Sequence, residues 1–264
     1  MPSTFTALDP QGYEQLMGRF SRRLARAFLD FTGTAPGERI LDVGCGTGSM
    51  TDALAEPGTH AAIVGIDVSE PYVAFARART SDPRITFDVG DVVSLPYPVG
   101  HFDRAVSQLV LMFLPDPHSA IAEMRRVVRP GGVVAACVWD GYGGQPHLRM
   151  LWDTASALGF DRSRSLFRPL NTAGELEAAW RLAGLADVTG GTITTRFDYA
   201  NFADYWSPFL SGDGPAGQMV MRLAPGERET LRAQVERVFL SGRPDGARSF
   251  IAAAWICKGN VPAD

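Results

Sequence analysis

Apolar residues at Tyr13, Leu16, Met17, Phe20, Leu24, Phe28 and Phe31 recur at spacings of three and four. That rhythm predicts one amphipathic helix over 13–31, ended by Ala35-Pro36-Gly37. Short apolar runs then alternate with helical stretches. They predict strands over 39–43, 62–66, 85–89 and 102–107. A helix from about 48 to 55 lies between the first two and breaks at Pro57-Gly58. Ser69 is placed to cap the next, with Glu70 and Pro71 in its first turn. Asp116 and Pro117 open another, whose inner stripe is Ile121, Met124 and Val128 and which Arg129-Pro130-Gly131-Gly132 stops. The run 132–139 is almost wholly apolar, as a central strand buried on both faces requires. Beyond it the pattern predicts helices over 147–159 and 173–184 and strands over 187–197 and 249–257. Phe202, Tyr205, Trp206 and Phe209 share one helical face, which fits core packing or a substrate wall.

Alternating strands and helices predict an α/β fold with a parallel, doubly wound sheet. Ligands of such sheets sit beyond the carboxyl ends of the strands. A glycine-rich turn (Gly44, Gly46, Gly48), Asp67, Asp91 and the pair Ser107-Gln108 all fall at those ends. Glycines let main chain approach a ligand closely, and an acid after the second strand can accept from a ribose diol. A dinucleotide site wants Gly-x-Gly-x-x-Gly; here the third glycine comes one residue early, and Ser49 stands where the last glycine belongs.

The string Asp42-Val43-Gly44-Cys45-Gly46-Thr47-Gly48 resembles motif I of the class I S-adenosylmethionine-dependent methyltransferases. Asp67, Gly90-Asp91, Phe102 to Ser107, Leu114-Pro115-Asp116-Pro117 and Arg129-Pro130-Gly131-Gly132 extend the likeness over about 13–140. The motif order looks like the quinone-biosynthesis C-methyltransferase-like group in its broad sense. The resemblance implies a mostly parallel, Rossmann-like seven-stranded sheet with an antiparallel final strand, a helical cover, and S-adenosylmethionine as cofactor.

The resemblance also implies roles. Gly44, Cys45 and Gly46 would bring main chain to the methionine part, Asp67 with Val68 would hold the ribose, and Asp91 with Val92 the adenine. Asp42 would brace the glycine loop or face the ammonium. Ser107 and Gln108 would lie beside the sulfonium, although Gln108 could instead point to substrate. In related enzymes an N-terminal helix closes the donor site. Arg19, beside Gly18, would then pair with the donor carboxylate and Tyr13 would form a lid contact; a solvated basic face is the competing reading. His147 is the candidate general base for a hydroxyl acceptor, with a surface position as its alternative.

The 264 residues carry a formal net charge of −4, which speaks against a nucleic-acid substrate. Lys258 is the only lysine, so a tyrosine–lysine hydride site of an oxidoreductase has no lysine within the core. Cys45, Cys137 and Cys257 form no Cys-x-x-Cys pair and are expected to be reduced. Histidine and cysteine spacings predict no metal site. The absence of a long apolar run and of a signal pattern at Met1-Pro2-Ser3-Thr4 predicts a cytoplasmic protein with no membrane partner.

One domain is expected over 1–264: a lid at 1–35, a donor-binding core at 36–140, a helical cover at 141–170 and 198–247, and the rest of the core at 171–197 and 248–260. The expected activity is methyl transfer to a small apolar or aromatic acceptor by a monomer or homodimer. A non-catalytic donor-binding protein of the same fold is the alternative.

Overall fold

A computed structural model describes residues 9–160 and 168–263; residues 1–8 of the expected lid and 161–167 of the expected cover lie outside them. The amphipathic N-terminal stretch is helical but not uniform. It runs as α1 (Pro10–Tyr13), a π-helical turn (Glu14–Gly18) and α2 (Arg19–Thr32). Asp9 caps α1, its carboxylate accepting from the Gln11 amide at 3.0 Å. The π-turn holds more residues than an α-turn, so it rotates everything after it relative to a regular helix. Phe20, Leu24, Ala25 and Phe28 of α2 are buried, and Phe20 stacks on Phe197 with ring centroids 4.0 Å apart.

The core then alternates β1 (Arg39–Val43), α3 (Ser49–Ala55), β2 (Ala62–Asp67), α4 (Glu70–Arg79), β3 (Ile85–Val89), β4 (Phe102–Gln108), α5 (Pro117–Val127) and β5 (Val128–Trp139). After it come α6 (Pro146–Ala157), α7 (Glu175–Leu182), β6 (Ala186–Tyr199), α8 (Phe202–Trp206), α9 (Gly214–Arg222), α10 (Pro225–Leu240) and β7 (Arg248–Asn260). The seven strands form one sheet in the order β3-β2-β1-β4-β5-β7-β6, with β7 antiparallel to both neighbours and every other pairing parallel. The chain winds outward from β1 to β3, then returns to β4 and β5. With right-handed crossovers this puts α3 and α4 on one face and α5 on the other.

β5 starts at Val128 rather than 132, because the chain is already extended there and pairs Val128 with Phe102, before Gly131 turns it at φ +75°. Its pairing with β4 shifts register between Phe102 and Arg104 there. β6 and β7 outrun the expected strands at both ends and pair from Ala186–Asn260 to Tyr199–Arg248. Arg104, buried in β4, donates Nε and Nη2 to the two oxygens of Glu38 at 3.0 and 2.9 Å. It also reaches the Thr32 and Gly33 carbonyls at 3.1 and 2.8 Å, tying the end of α2 to the sheet.

Phe202, Tyr205, Trp206 and Phe209 are all buried and pack among themselves and on Phe239. The aromatic stripe is core. No described helix is long and apolar enough to cross a membrane.

Candidate active site

β1 runs directly into the glycine turn, and the turn folds back onto the end of β2. The amides of Gly44 and Cys45 both donate to the Ile66 carbonyl, at 2.8 and 3.0 Å. Gly44 adopts φ +75°, and a Cβ there would lie 2.4 Å from Val110 Cγ2. Only glycine therefore lets the turn sit against the loop after β4. Gly46 donates its amide to Asp67 Oδ2 at 2.9 Å, while Asp67 Oδ1 accepts from the Ser69 amide at 2.9 Å. Each carboxylate oxygen keeps a further lone pair for a ligand hydroxyl. Burial pushes the Asp67 carboxyl above its usual range, against the pull of these main-chain donors.

Asp42 is 1% exposed. Its Oδ2 accepts from the Thr51 hydroxyl at 2.6 Å, and its Oδ1 has no hydrogen-bond partner among the described residues. Burial pushes this carboxyl up to about 7. Gln108 donates Nε2 to the Ser21 carbonyl at 3.0 Å, and its Oε1 is likewise buried and unpartnered. Ser49 Oγ shares that condition. Orphaned buried acceptors cost free energy unless a ligand completes them. Asp42, Ser49 and Gln108 all line one cavity of about 1420 Å³. A set of acceptor oxygens with no cation of their own fits a donor that carries a sulfonium and an ammonium.

Asp67, Val68, Asp91, Val92, Gly44, Cys45, Gly46 and Tyr13 line the same cavity. Asp91 bends its loop by accepting from the Val93 amide at 3.1 Å. Tyr13 lies beside Tyr72 with centroids 5.2 Å apart, and burial lifts its hydroxyl to about 12. The N-terminal helix is fastened over the glycine turn by Glu14 of the π-turn. Its Oε1 accepts from the Thr47 hydroxyl at 2.6 Å, and Oε2 pairs with Arg22 and, at 3.5 Å, with Arg79. A side chain at Gly18 would collide with this carboxylate, at 2.4 Å from its Oε1.

Three sequence expectations are corrected. Arg19 does not line the cavity; its Nη1 donates to Asp204 at 2.9 Å and its guanidinium lies over Phe20 and Tyr199. A π-turn, absent from the expected regular helix, immediately precedes Arg19. Ser107 is fully buried and spends its hydroxyl on the Val43 carbonyl at 3.0 Å, joining β4 to β1 instead of facing the cavity. His147 is neither a base nor a surface residue. It is 2% exposed, stacks on Phe197 at 4.0 Å, and burial holds its pKa near 3. None of the four histidines lines the cavity.

Beyond the glycine turn the cavity continues along the loops after β4 and β5 and the start of α9. Trp139, Leu148 and Trp152 form an apolar wall there. Of the expected 198–247 cover, the residues that face the cavity come from Asp213 and α9, and none comes from α8 or α10. Asp213 was not a sequence candidate; it is fully buried and accepts from the Asp9 amide at 3.1 Å and the Tyr72 hydroxyl at 3.4 Å. No group of three potential metal ligands occurs among the described residues.

A family model described as a methyltransferase domain matches residues 41–136. A demethylmenaquinone methyltransferase of Beutenbergia cavernae is 32% identical over 186 residues, covering 64% of this chain and 76% of that one. A demethylmenaquinone methyltransferase of Renibacterium salmoninarum is 36% identical over 112 residues, and there the match spans 42% of this chain and 46% of the relative. With a further relative, from a Streptomyces fradiae transposon, the chain spans 36% of its length. Among solved structures, the geranyl diphosphate C-methyltransferase of Streptomyces coelicolor, crystallised with S-adenosyl-L-homocysteine, shares the fold with a TM-score of 0.53. It is 18% identical, and 93% of this chain and 81% of that one are covered. The glycine turn, the strand order and the length of the Beutenbergia match agree: the chain belongs to the class I S-adenosylmethionine-dependent methyltransferases.

Proposed function

We propose that the chain transfers the methyl group of S-adenosylmethionine to a small acceptor with an apolar or aromatic body. The observation that carries this reading is the single cavity in which the glycine turn, Asp67, Asp91 and the orphaned oxygens of Asp42 and Gln108 meet a tryptophan-lined extension. The donor supplies an activated methyl on a sulfonium. The chain's own work is to bind, align and exclude water. The main chain of Gly44 to Gly46 would hold the methionine part, Asp67 with Val68 the ribose, and Asp91 with Val92 the adenine. Asp42 and Gln108 would face the cationic end. Glu14 and Tyr13 hold the N-terminal helix over this half.

Demethylmenaquinone methyltransferases among the relatives support a flat, apolar acceptor. The volume supports two ligands rather than one, since about 1420 Å³ exceeds the roughly 300–1,000 Å³ of common single-ligand pockets. The same extension favours catalysis over a donor-binding protein without activity. No histidine base lines the cavity, so the acceptor brings its own nucleophilicity or is deprotonated by a carboxylate.

Calorimetry with S-adenosylhomocysteine tests the donor site, and homocysteine release over a panel of phenols, quinols and amines tests turnover. Saturation at 100 times the dissociation constant adds about 2.7 kcal/mol of stability, a clear melting shift, while NAD should give none. Asp67→Asn should weaken donor binding by roughly 1–3 kcal/mol. Donor binding that survives this change intact would remove the ribose role of Asp67.

A further inference from the structure

The cavity lining carries charge of both signs. Asp42, Asp67, Glu70 and Asp91 come from the ends of β1, β2 and β3 and the start of α4. Arg149 comes from α6, Arg168 from the segment ahead of α7 and Arg222 from α9. Two further acids line it, and both are engaged. Asp116 caps α5 and accepts from the Ser119 amide and hydroxyl, and Asp213 accepts from the Asp9 amide and the Tyr72 hydroxyl. In a chain of net charge −4, three arginines lining one cavity call for a reason.

Arg222 supplies the sharpest observation. An arginine in the last turn of a helix ordinarily binds that helix's free carbonyls. At the end of α9 that duty belongs to Arg228, which donates to the carbonyls of Val220, Met221 and Leu223 at 3.2, 3.2 and 3.1 Å. Arg222 has no hydrogen bond or ion pair among the described residues and borders the cavity. It follows Gly214 and Gln218 at four-residue intervals, so all three lie on one face of α9. On α6, Arg149 lines the cavity with Leu148 and Trp152 and pairs with Asp153 at 3.0 Å, which leaves donors over. Arg168 lies over the Phe113 ring, 5.2 Å from its centroid, and both line the same wall. Arginine is suited to planar oxyanions because it offers a fork of donors and stacks on aromatic faces.

We infer that the acceptor is an aromatic or apolar molecule bearing an oxyanion, a carboxylate or a phosphate. Arg222, Arg149 and Arg168 take the oxyanion while Trp139 and Trp152 hold the flat body. The inference rests on the methyltransferase reading for what the second ligand is. It makes that ligand's charge opposite to that of the donor's cationic end.

Matched pairs that differ only in charge test it: cinnamate against cinnamamide, 2-naphthoate against 2-naphthamide, and phenyl phosphate against phenol. Each is titrated with and without saturating S-adenosylhomocysteine. The acid should bind about tenfold or more tightly than its neutral partner, and the preference should shrink as salt rises. The carboxylate and phosphate arms say which oxyanion the wall prefers. In the double variant Arg149→Gln/Arg222→Gln the preference should fall to about twofold or less. Equal affinity for acid and amide in the wild type, no binding of any probe, or a preference untouched in the double variant would overturn the inference. If the variant fails to fold, the salt dependence of the wild-type preference still decides. Absence of S-adenosylhomocysteine binding alongside an intact acid preference would overturn the donor reading and leave the anion site standing.

Discussion

His147 and Asp42 are enclosed groups whose ionisation opposes folding in opposite pH directions. His147 stacks on Phe197 with neither ring nitrogen hydrogen-bonded among the described residues, and burial holds its pKa near 3 against 6.5 in an open chain. Below about pH 6.5 the unfolded chain binds a proton that the folded chain refuses. Stability is therefore lost as pH falls from about 6.5 towards 3, by about 1.4 kcal/mol per pH unit and on the order of 5 kcal/mol in all. Asp42 does the reverse: burial raises it to about 7 from 3.8. The folded chain keeps a proton that the unfolded chain releases. That stabilisation is complete below about pH 4 and is lost as pH rises through about 7. Between these limits the two slopes offset one another, which conceals both in the wild type. His147→Phe keeps a ring against Phe197 and removes one titration. Urea unfolding of wild type and variant should show a gap that widens as pH falls, by about 2 kcal/mol between pH about 6.5 and about 5. A gap that stays constant with pH would refute the claim that the folded protein holds His147 neutral.

At pH about 6 the folded protein holds Asp42 protonated, so binding of S-adenosylhomocysteine beside its free oxygen should release close to one proton. Calorimetry in buffers of different ionisation enthalpy reads this, and the release should vanish by pH about 8.5 and in Asp42→Asn. Gly44→Ala adds a positive-φ penalty of roughly 1–2 kcal/mol and an overlap with Val110 of roughly 1–3 kcal/mol. Thermal unfolding should show both, and a second change, Val110→Ala, should return only the overlap. Arg104→Gln should cost roughly 3 kcal/mol in chemical denaturation, because it strands Glu38 and the Thr32 and Gly33 carbonyls in a buried site. A loss below about 1 kcal/mol would mean that water satisfies these groups.

The glycine turn and the strand ends around it could be read from sequence because local rules write them. β1 and β3 fall on their expected bounds, since an apolar run between turn signals admits little else. Gly44 and Gly46 reveal a main-chain conformation, and Asp67 reveals itself by following a strand. The errors have equally specific causes. A π-turn inside 13–31 leaves the spacing of apolar residues almost untouched, so Arg19 looked free to face a ligand while Asp204, far along the chain, claims it. His147 was open to a base or a surface reading because nothing near it in sequence announces Phe197, the β6 residue it stacks on. Ser107 stood at the right strand end with its hydroxyl turned to the neighbouring strand, a choice that only the β1–β4 pairing decides.

The arginines of the cavity follow another logic. The net charge of −4, an average over the whole chain, says nothing of where single charges gather. The fold takes Arg149, Arg168 and Arg222 from three separate stretches and brings them into the lining of one cavity. No spacing links them, so no motif can announce them. They share a cavity because α6, α9 and the segment ahead of α7 all contribute to the lining that begins at the ends of β1, β2 and β4. Separate encoding lets the cover change without disturbing the glycine turn. Glu14, which touches Thr47 of that turn and Arg79 of α4, couples the N-terminal helix to the donor half and makes no contact with the arginine wall. Substitutions at Arg149 or Arg222 should therefore alter which acceptor is taken while S-adenosylhomocysteine affinity stays near wild type. A fall in donor affinity of more than about tenfold in either variant would show that the two halves are not encoded separately.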